Sequence, residues 1–256
     1  MISFFNDLRN RFDFFLRSHI TFSRKDYSEA TNKEILENVI TDYKNLSTKY
    51  NLNLLENLSA RNVLENLYFL NIFDKYLTKK PNQTLSLLDI GSKNWNYVKS
   101  EYLFLSSLSN EPKLDGIELD AYRLNCQFYS RYEIAKFYTK DLKNTNYISG
   151  DFMKHKGKYD YIIWILPFIT EYPLQKWGLP LKYFKPKEML NHAFELLKEG
   201  GEILIINQGE EEYKIQQDLN KKLNIQTEYY SEAEDKLNLF KNKRFVSKII
   251  KVQNTL

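Results

Sequence analysis

Leu87-Leu88-Asp89-Ile90-Gly91-Ser92 is where the chain changes character: an apolar run closes on a carboxylate and is followed at once by glycine. The run from Leu85 to Ile90 reads as a short buried strand. Gly91 lacks a Cβ, so the backbone there can turn sharply and approach a ligand closely. The next segment, Asn96 to Leu108, reads as a helix whose free N–H groups would point at that turn and suit an anionic group.

Downstream, strands and helices alternate. Leu114 to Leu119, Tyr147-Ile148, Tyr159 to Leu166 and Glu202 to Asn207 read as further strands. Helices are expected from Ala121 to about Tyr138, from Pro186 to Lys198 (closing at Gly200-Gly201) and from Glu210 to Leu223. Strands joined by helical crossovers imply a parallel, doubly wound sheet. The last two strands, Gln226 to Tyr230 and Phe245 to Val252, have only the charged segment Ser231 to Arg244 between them and are expected to pair antiparallel at an edge.

Upstream, the grammar is different. Residues 1–80 hold no Gly and no Pro and read as helices. Phe4, Leu8, Phe12 and Leu16 recur every fourth residue and share one helical face. A second helix is expected over Asn32 to Tyr50. A third, Ala60 to Leu77, carries Val63, Leu64, Leu67, Leu70, Phe73 and Leu77 as a buried stripe, and Pro81-Asn82 ends the helical region. The expected fold is therefore α/β, a doubly wound, seven-stranded and mostly parallel sheet with its last strand antiparallel. Residues 1–80 form an N-terminal helical extension and residues 81–256 the sheet domain.

Composition narrows the function classes. Hydrophobic residues make up 43% of the 256, enough for a sizeable core. Cys126 is the single cysteine, which excludes an intramolecular disulfide and a Cys-held zinc, fits a reducing cytoplasm and leaves no metal site to expect. The apolar N-terminus is broken by Asp7, Arg9, Arg11 and Asp13, unlike a secretory signal. The longest apolar stretch, Tyr161 to Ile169, falls short of the roughly 18 residues a span needs, so no membrane association is expected. A net charge of only +4, with lysines scattered in short clusters, argues for a small-molecule partner over nucleic acid.

In doubly wound sheets, ligands sit outside the carboxyl ends of the strands, where strand order reverses. Three such ends carry residues a nucleoside needs. Gly91 and Ser92 follow the first strand; Glu118, 27 residues after Gly91, closes the second and can accept both hydroxyls of a ribose; Gly150-Asp151-Phe152 follows the third with an acceptor for an exocyclic amine. In order and spacing, together with Leu196-Leu197-Lys198-Glu199-Gly200-Gly201 before the fifth strand, this resembles the class I S-adenosylmethionine-dependent methyltransferases over roughly Leu85 to Val252. The resemblance implies a Rossmann-like methyltransferase domain that binds S-adenosylmethionine. Asp89, Gly91 and Ser92 would lie near the methionine portion, Glu118 at the ribose, Asp151 at the adenine amine and Phe152 near its ring.

The chain also departs from the family. Lys93-Asn94-Trp95 follows Gly91 where further glycines are usual. After the fourth strand Ile165-Leu166-Pro167-Phe168 replaces the polar residue of Asn/Asp-Pro-Pro-Tyr/Phe, which argues against the familiar amine methylation. These changes motivate an alternative, a degenerate methyltransferase-like domain with a non-catalytic binding role. A nicotinamide dehydrogenase fits less well, because the second and third glycines of its fingerprint are absent. The segment Thr170 to Lys185 leaves the strand end where acceptors bind. Pro167, Phe168, Glu171, Tyr172 and Trp177 are accordingly the expected acceptor contacts. No residue is singled out as catalytic, although Glu171, Tyr172 and Tyr97 are available as bases.

Overall fold

The computed structural model describes residues 2–21, 26–30, 43–234, 236 and 239–252, with side chains from Phe4 onward. The Gly- and Pro-free stretch supplies α1 (Ile2–His19), the short α2 (Lys44–Ser47), a 3-10 turn (Leu52–Leu55) and α3 (Ala60–Tyr76). Most of the helix expected over Asn32 to Tyr50 lies outside the described residues, and its end contributes α2. Beyond Pro81 come β1 (Thr84–Ile90), α4 (Val98–Ser106), β2 (Glu111–Glu118), α5 (Arg131–Thr139), β3 (Thr145–Ser149) and β4 (Tyr159–Ile165). The chain continues through α6 (Glu171–Lys176), α7 (Pro186–Leu196), β5 (Leu197–Gln208), α8 (Gly209–Lys222), β6 (Thr227–Ala233) and β7 (Arg244–Ile250).

The seven strands form one sheet in the order β3-β2-β1-β4-β5-β7-β6, in which β7 alone runs against the rest. The expected α/β class, strand number and antiparallel final strand all hold. Strand order reverses between β1 and β4, so the crevice of a doubly wound sheet opens beside the carboxyl end of β1. Both faces of the central strands are covered. The stripe Val63, Leu67, Leu70 and Phe73 of α3 joins Phe104, Ile134 and Leu87 in one core, while Leu190, Ala193 and Leu196 of α7 cover Leu88, Ile162 and Ile203 on the other side. The third helical segment is thus built into the same core as the sheet, with Leu64 half-buried at the margin of its stripe.

Two helix boundaries differ from the expectation, each for a local reason. Residues 121–129 are not helical; α5 starts only at Arg131 because Ser130 caps it. The Ser130 hydroxyl accepts the Glu133 N–H and the Glu133 carboxylate accepts the Ser130 N–H in return, a reciprocal capping box. Asp120 lies ten residues before this cap and pairs elsewhere. α7 ends at Leu196, not at the glycine pair, because the chain extends immediately into β5. There the Gly200 N–H donates to the Lys251 carbonyl at 2.7 Å.

α1 differs in orientation. The face carrying Phe4, Leu8, Phe12 and Leu16 is turned outward, and the face carrying Asp7, Asn10, Phe14 and Arg17 packs inward.

Trp95 determines why β2 carries a glycine. Its indole is fully buried and lies flat against Gly116, where an added Cβ would come within 2.8 Å of three ring atoms. Gly116→Ala is expected to overpack this contact and lower the unfolding free energy by about 1–3 kcal/mol. Thermal and urea unfolding measure it, and an unchanged midpoint would contradict the role given to Trp95.

Candidate active site

The carboxyl ends of β1, β2 and β3 are tied together by backbone bonds. Gly91, at φ +74°, donates its N–H to the Ile117 carbonyl at 2.8 Å, and Gly150 donates to the Glu118 carbonyl at 3.0 Å. Gly91, Glu118 and Asp151 therefore stand side by side on neighbouring strands, as their spacing suggested. The loop after Gly91 has its own shape, with Lys93 and Trp95 also at positive φ, +57° and +49°. The bulk of Lys93-Asn94-Trp95 is divided by this path. Trp95 turns into the core and donates its indole N–H to Glu101 at 2.8 Å, while Lys93 turns out over the strand ends.

Glu118 is buried and fully engaged. One oxygen accepts the Lys93 N–H at 2.9 Å; the other accepts the Asp120 N–H at 2.8 Å and pairs with the Arg131 guanidinium at 2.8 Å. Asp120 in turn pairs with Arg17 of α1 at 2.6 Å. Arg131, Arg123 and Arg17 went unrecognised in the sequence. No periodicity links a basic residue in a loop or at a helix start to an acid at a strand end, and Arg17 is 103 residues from its partner.

Of the expected acceptor contacts, Trp177 reaches this cluster. The Lys93 ammonium and the Arg131 and Arg123 guanidinium carbons lie 5.3, 5.3 and 5.8 Å from its ring centres, within cation–π range. Arg123 also donates to the Trp177 carbonyl. Burial and then the charge of Arg131 lower the pKa of both Lys93 and Arg123, so the cations around the ring repel one another.

The middle of the Thr170 to Lys185 segment, residues 175–181, is held down by α1. Asn10 donates to the Gln175 and Leu179 carbonyls at 3.1 and 3.3 Å, Asp7 accepts the Leu181 N–H at 2.6 Å, and Arg17 donates to the Gly178 carbonyl at 2.6 Å. Pro167 is buried and Phe168 half-buried just below it, whereas Glu171 is exposed and Tyr172 stands 71% exposed.

The remaining expected residues are placed as follows. Ser92 is buried with its hydroxyl unpartnered. Asp151 is half-buried and caps a 3-10 turn by accepting the Met153 N–H at 3.0 Å. Phe152 points down into the core, edge-on to the His192 ring at 5.0 Å, not into the cleft. Among the described residues no group of three His, Cys, Asp or Glu side chains could hold a metal ion.

Beneath the loop lies a buried acid pair. Asp89 is fully buried and accepts the Tyr97 hydroxyl at 2.8 Å. Glu101 is fully buried as well, and each acid leaves one oxygen, Asp89 Oδ1 and Glu101 Oε1, without a hydrogen-bond partner among the described residues. Burial pushes the Asp89 carboxyl up to about 7 against the lowering effect of Tyr97, and burial with the charge of Asp89 pushes Glu101 well above its ordinary value. Burial and Asp89 also raise the Tyr97 phenol, which removes it as a base near neutrality.

No protein-family model and no curated protein matches the chain. Solved structures do match in fold. An S-adenosylmethionine-dependent methyltransferase from Aquifex aeolicus aligns over 73% of this chain and 92% of its own length at 13% identity, with a TM-score of 0.51. A Listeria monocytogenes protein assigned to the class I S-adenosylmethionine-dependent methyltransferases aligns over 79% of this chain and 66% of its own, also at 13% identity and TM-score 0.51. The chain has the fold of the class I methyltransferases.

The acid pair gives the protein a pH dependence of definite sign. Asp89 holds its proton more tightly folded than unfolded, so the folded state carries the extra proton between about pH 4 and about pH 7. The pair's contribution to stability is complete below that window and is lost as pH rises through about 7. Asp89→Asn should therefore shrink the loss of stability between about pH 5 and about pH 8 relative to wild type. Urea unfolding at both pH values measures this, and parallel profiles would contradict the raised pKa of Asp89.

Proposed function

We propose that the chain is an S-adenosylmethionine-dependent methyltransferase that holds its cofactor across the ends of β1, β2 and β3. The observation that carries this reading is the convergence, at the switch point of a methyltransferase fold, of the Gly91 turn, Glu118 and Asp151. The local space agrees with such a ligand. A Cβ added at Gly91 or Gly150 would meet no atom within 4 Å, so room borders Glu118 on both sides. Ser92 Oγ and Asn94 Oδ1 are buried there without a hydrogen-bond partner.

In this reading Gly91, Ser92 and the loop above Asp89 bind the amino-acid portion, Glu118 the ribose and Asp151 the adenine amine. When bound, the cofactor supplies an electrophilic sulfonium methyl for in-line transfer to an acceptor. The chain's own residues align the acceptor and exclude water. Pro167, Phe168 and Trp177 supply the apolar wall, and the cations around Trp177 favour negative charge beside it. Glu171 and Tyr172, exposed on the same segment, remain available to orient a small-molecule acceptor.

One observation favours a second reading. Both oxygens of Glu118 are already satisfied by Arg131 and two backbone amides, as in a domain that keeps the fold and uses the acid to organise its own loop. Calorimetric titration with S-adenosylhomocysteine separates the two. The methyltransferase reading expects saturable binding, weakened in Glu118→Gln by about 1.5–3 kcal/mol, roughly 10- to 150-fold. Glutamine keeps the side chain's shape, and circular dichroism checks that the fold survives. No heat from the wild-type protein would leave the non-catalytic reading.

A further inference from the structure

α1 is an amphipathic helix mounted inside out. Its polar side, Asp7, Asn10 and Arg17, is spent on bonds to the Thr170 to Lys185 segment and to Asp120. Its apolar side faces solvent, with Phe4 68%, Phe5 62%, Leu8 56%, Phe12 61% and Phe15 56% exposed. Ile20, one residue past the helix, is also 53% exposed, and among the described residues nothing covers the apolar side. Taking each large side chain at its usual size, the apolar surface left in water is on the order of 700 Å². Ordinary monomers carry patches of about 300–600 Å² at most.

Charge placement indicates what fits this face. At 3.6 residues per turn, Arg11 and Arg9 lie on opposite margins, each roughly 80° from its centre line. The acids lie farther round. Asp7 accepts the Leu181 amide with one oxygen and pairs with Arg11 at 2.7 Å through the other, which leaves Arg9 as the uncompensated cation of the margins among the described residues. Asp13 is beyond Arg9. The apolar face is thus bordered on both long sides by arginine. Arginines so placed can lay their stems on an apolar phase and their guanidinium groups among anionic headgroups. A second copy docked face to face would instead bring these like-charged margins together near the middle of the helix.

We propose that α1 is a membrane-surface helix, which seats the protein on anionic lipid bilayers with its Phe-rich face in the headgroup–acyl boundary. The helix lies in the plane of the surface and does not cross it. No helix among the described residues is long and apolar enough to span. Surface contact departs from the expectation of no membrane association, which rested on spanning length alone.

Flotation of the full chain with vesicles tests this. Wild type is expected to float with phosphatidylcholine vesicles containing phosphatidylserine, and at least tenfold less with phosphatidylcholine alone. Phe12→Glu, at an exposed position, should keep the wild-type circular dichroism and lose flotation at least tenfold. Arg9→Gln should weaken binding to the anionic vesicles severalfold. A Phe12→Trp variant should show blue-shifted emission on binding and be quenched by lipids brominated on the acyl chain. Wild type left unbound by the anionic vesicles would overturn the proposal. So would a dimer in solution that Phe12→Glu converts to monomer, since the face would then belong to a second copy.

Discussion

The carboxylate of Glu118 is the joint on which the rest of the site is hung. It terminates β2, fixes the loop after β1 through the Lys93 amide, fixes the chain leaving β2 through the Asp120 amide, and neutralises Arg131. Arg131 and Lys93 then carry Trp177 between them and Arg123. Taking a single partner away from a buried ion pair leaves the other charge uncompensated, at a cost of about 3–5 kcal/mol in typical proteins. The acid that most resembles a ligand contact is therefore also a structural requirement. Binding and stability have to be measured separately in any variant of it.

A layer below, the site rests on polar groups that are costly to bury and are tied in by single hydrogen bonds. Trp95 occupies space that only a glycine at position 116 leaves open, and its indole N–H goes to Glu101. The charge of Asp89 raises the pKa of Glu101, and Asp89 takes the Tyr97 hydroxyl. The chain replaces the flexibility of a glycine-rich turn with a rigid loop locked from beneath. Its two non-glycine residues at positive φ, Lys93 and Trp95, are held there by the anchors on either side of the loop.

The fold was legible because its signals are periodic. The apolar runs of β1, β4 and β5, the stripe of α3 and the alternation after Pro81 each repeat within a short window. The alignment of Gly91, Glu118 and Asp151 followed from the same cause, since strand ends in a parallel sheet share one edge. What escaped reading depends on partners distant in sequence. Arg131 matters because of where α5 starts, and Ser130 sets that start through a cap that an uninterrupted helix over residues 121–138 would have hidden. Trp95 was read as bulk in a ligand loop because nothing in its neighbours says which way the ring turns. The period of Phe4, Leu8, Phe12 and Leu16 announced a face but not its direction; apolar spacing is the same whether the face meets a core or leaves it.

α1 has two working sides and no rigid core of its own. One side is bonded to the segment that carries Trp177, and the other is free to contact whatever lies outside. Any molecule that binds the outer side and prefers one position of the helix must change the energy of the inner bonds by the same amount, in either direction. A ligand at the strand ends that shifts the same bonds would share one thermodynamic cycle with a contact outside the helix, joined by the hydrogen bonds of Asp7, Asn10 and Arg17. A chain built this way can report on its surroundings without a separate regulatory domain.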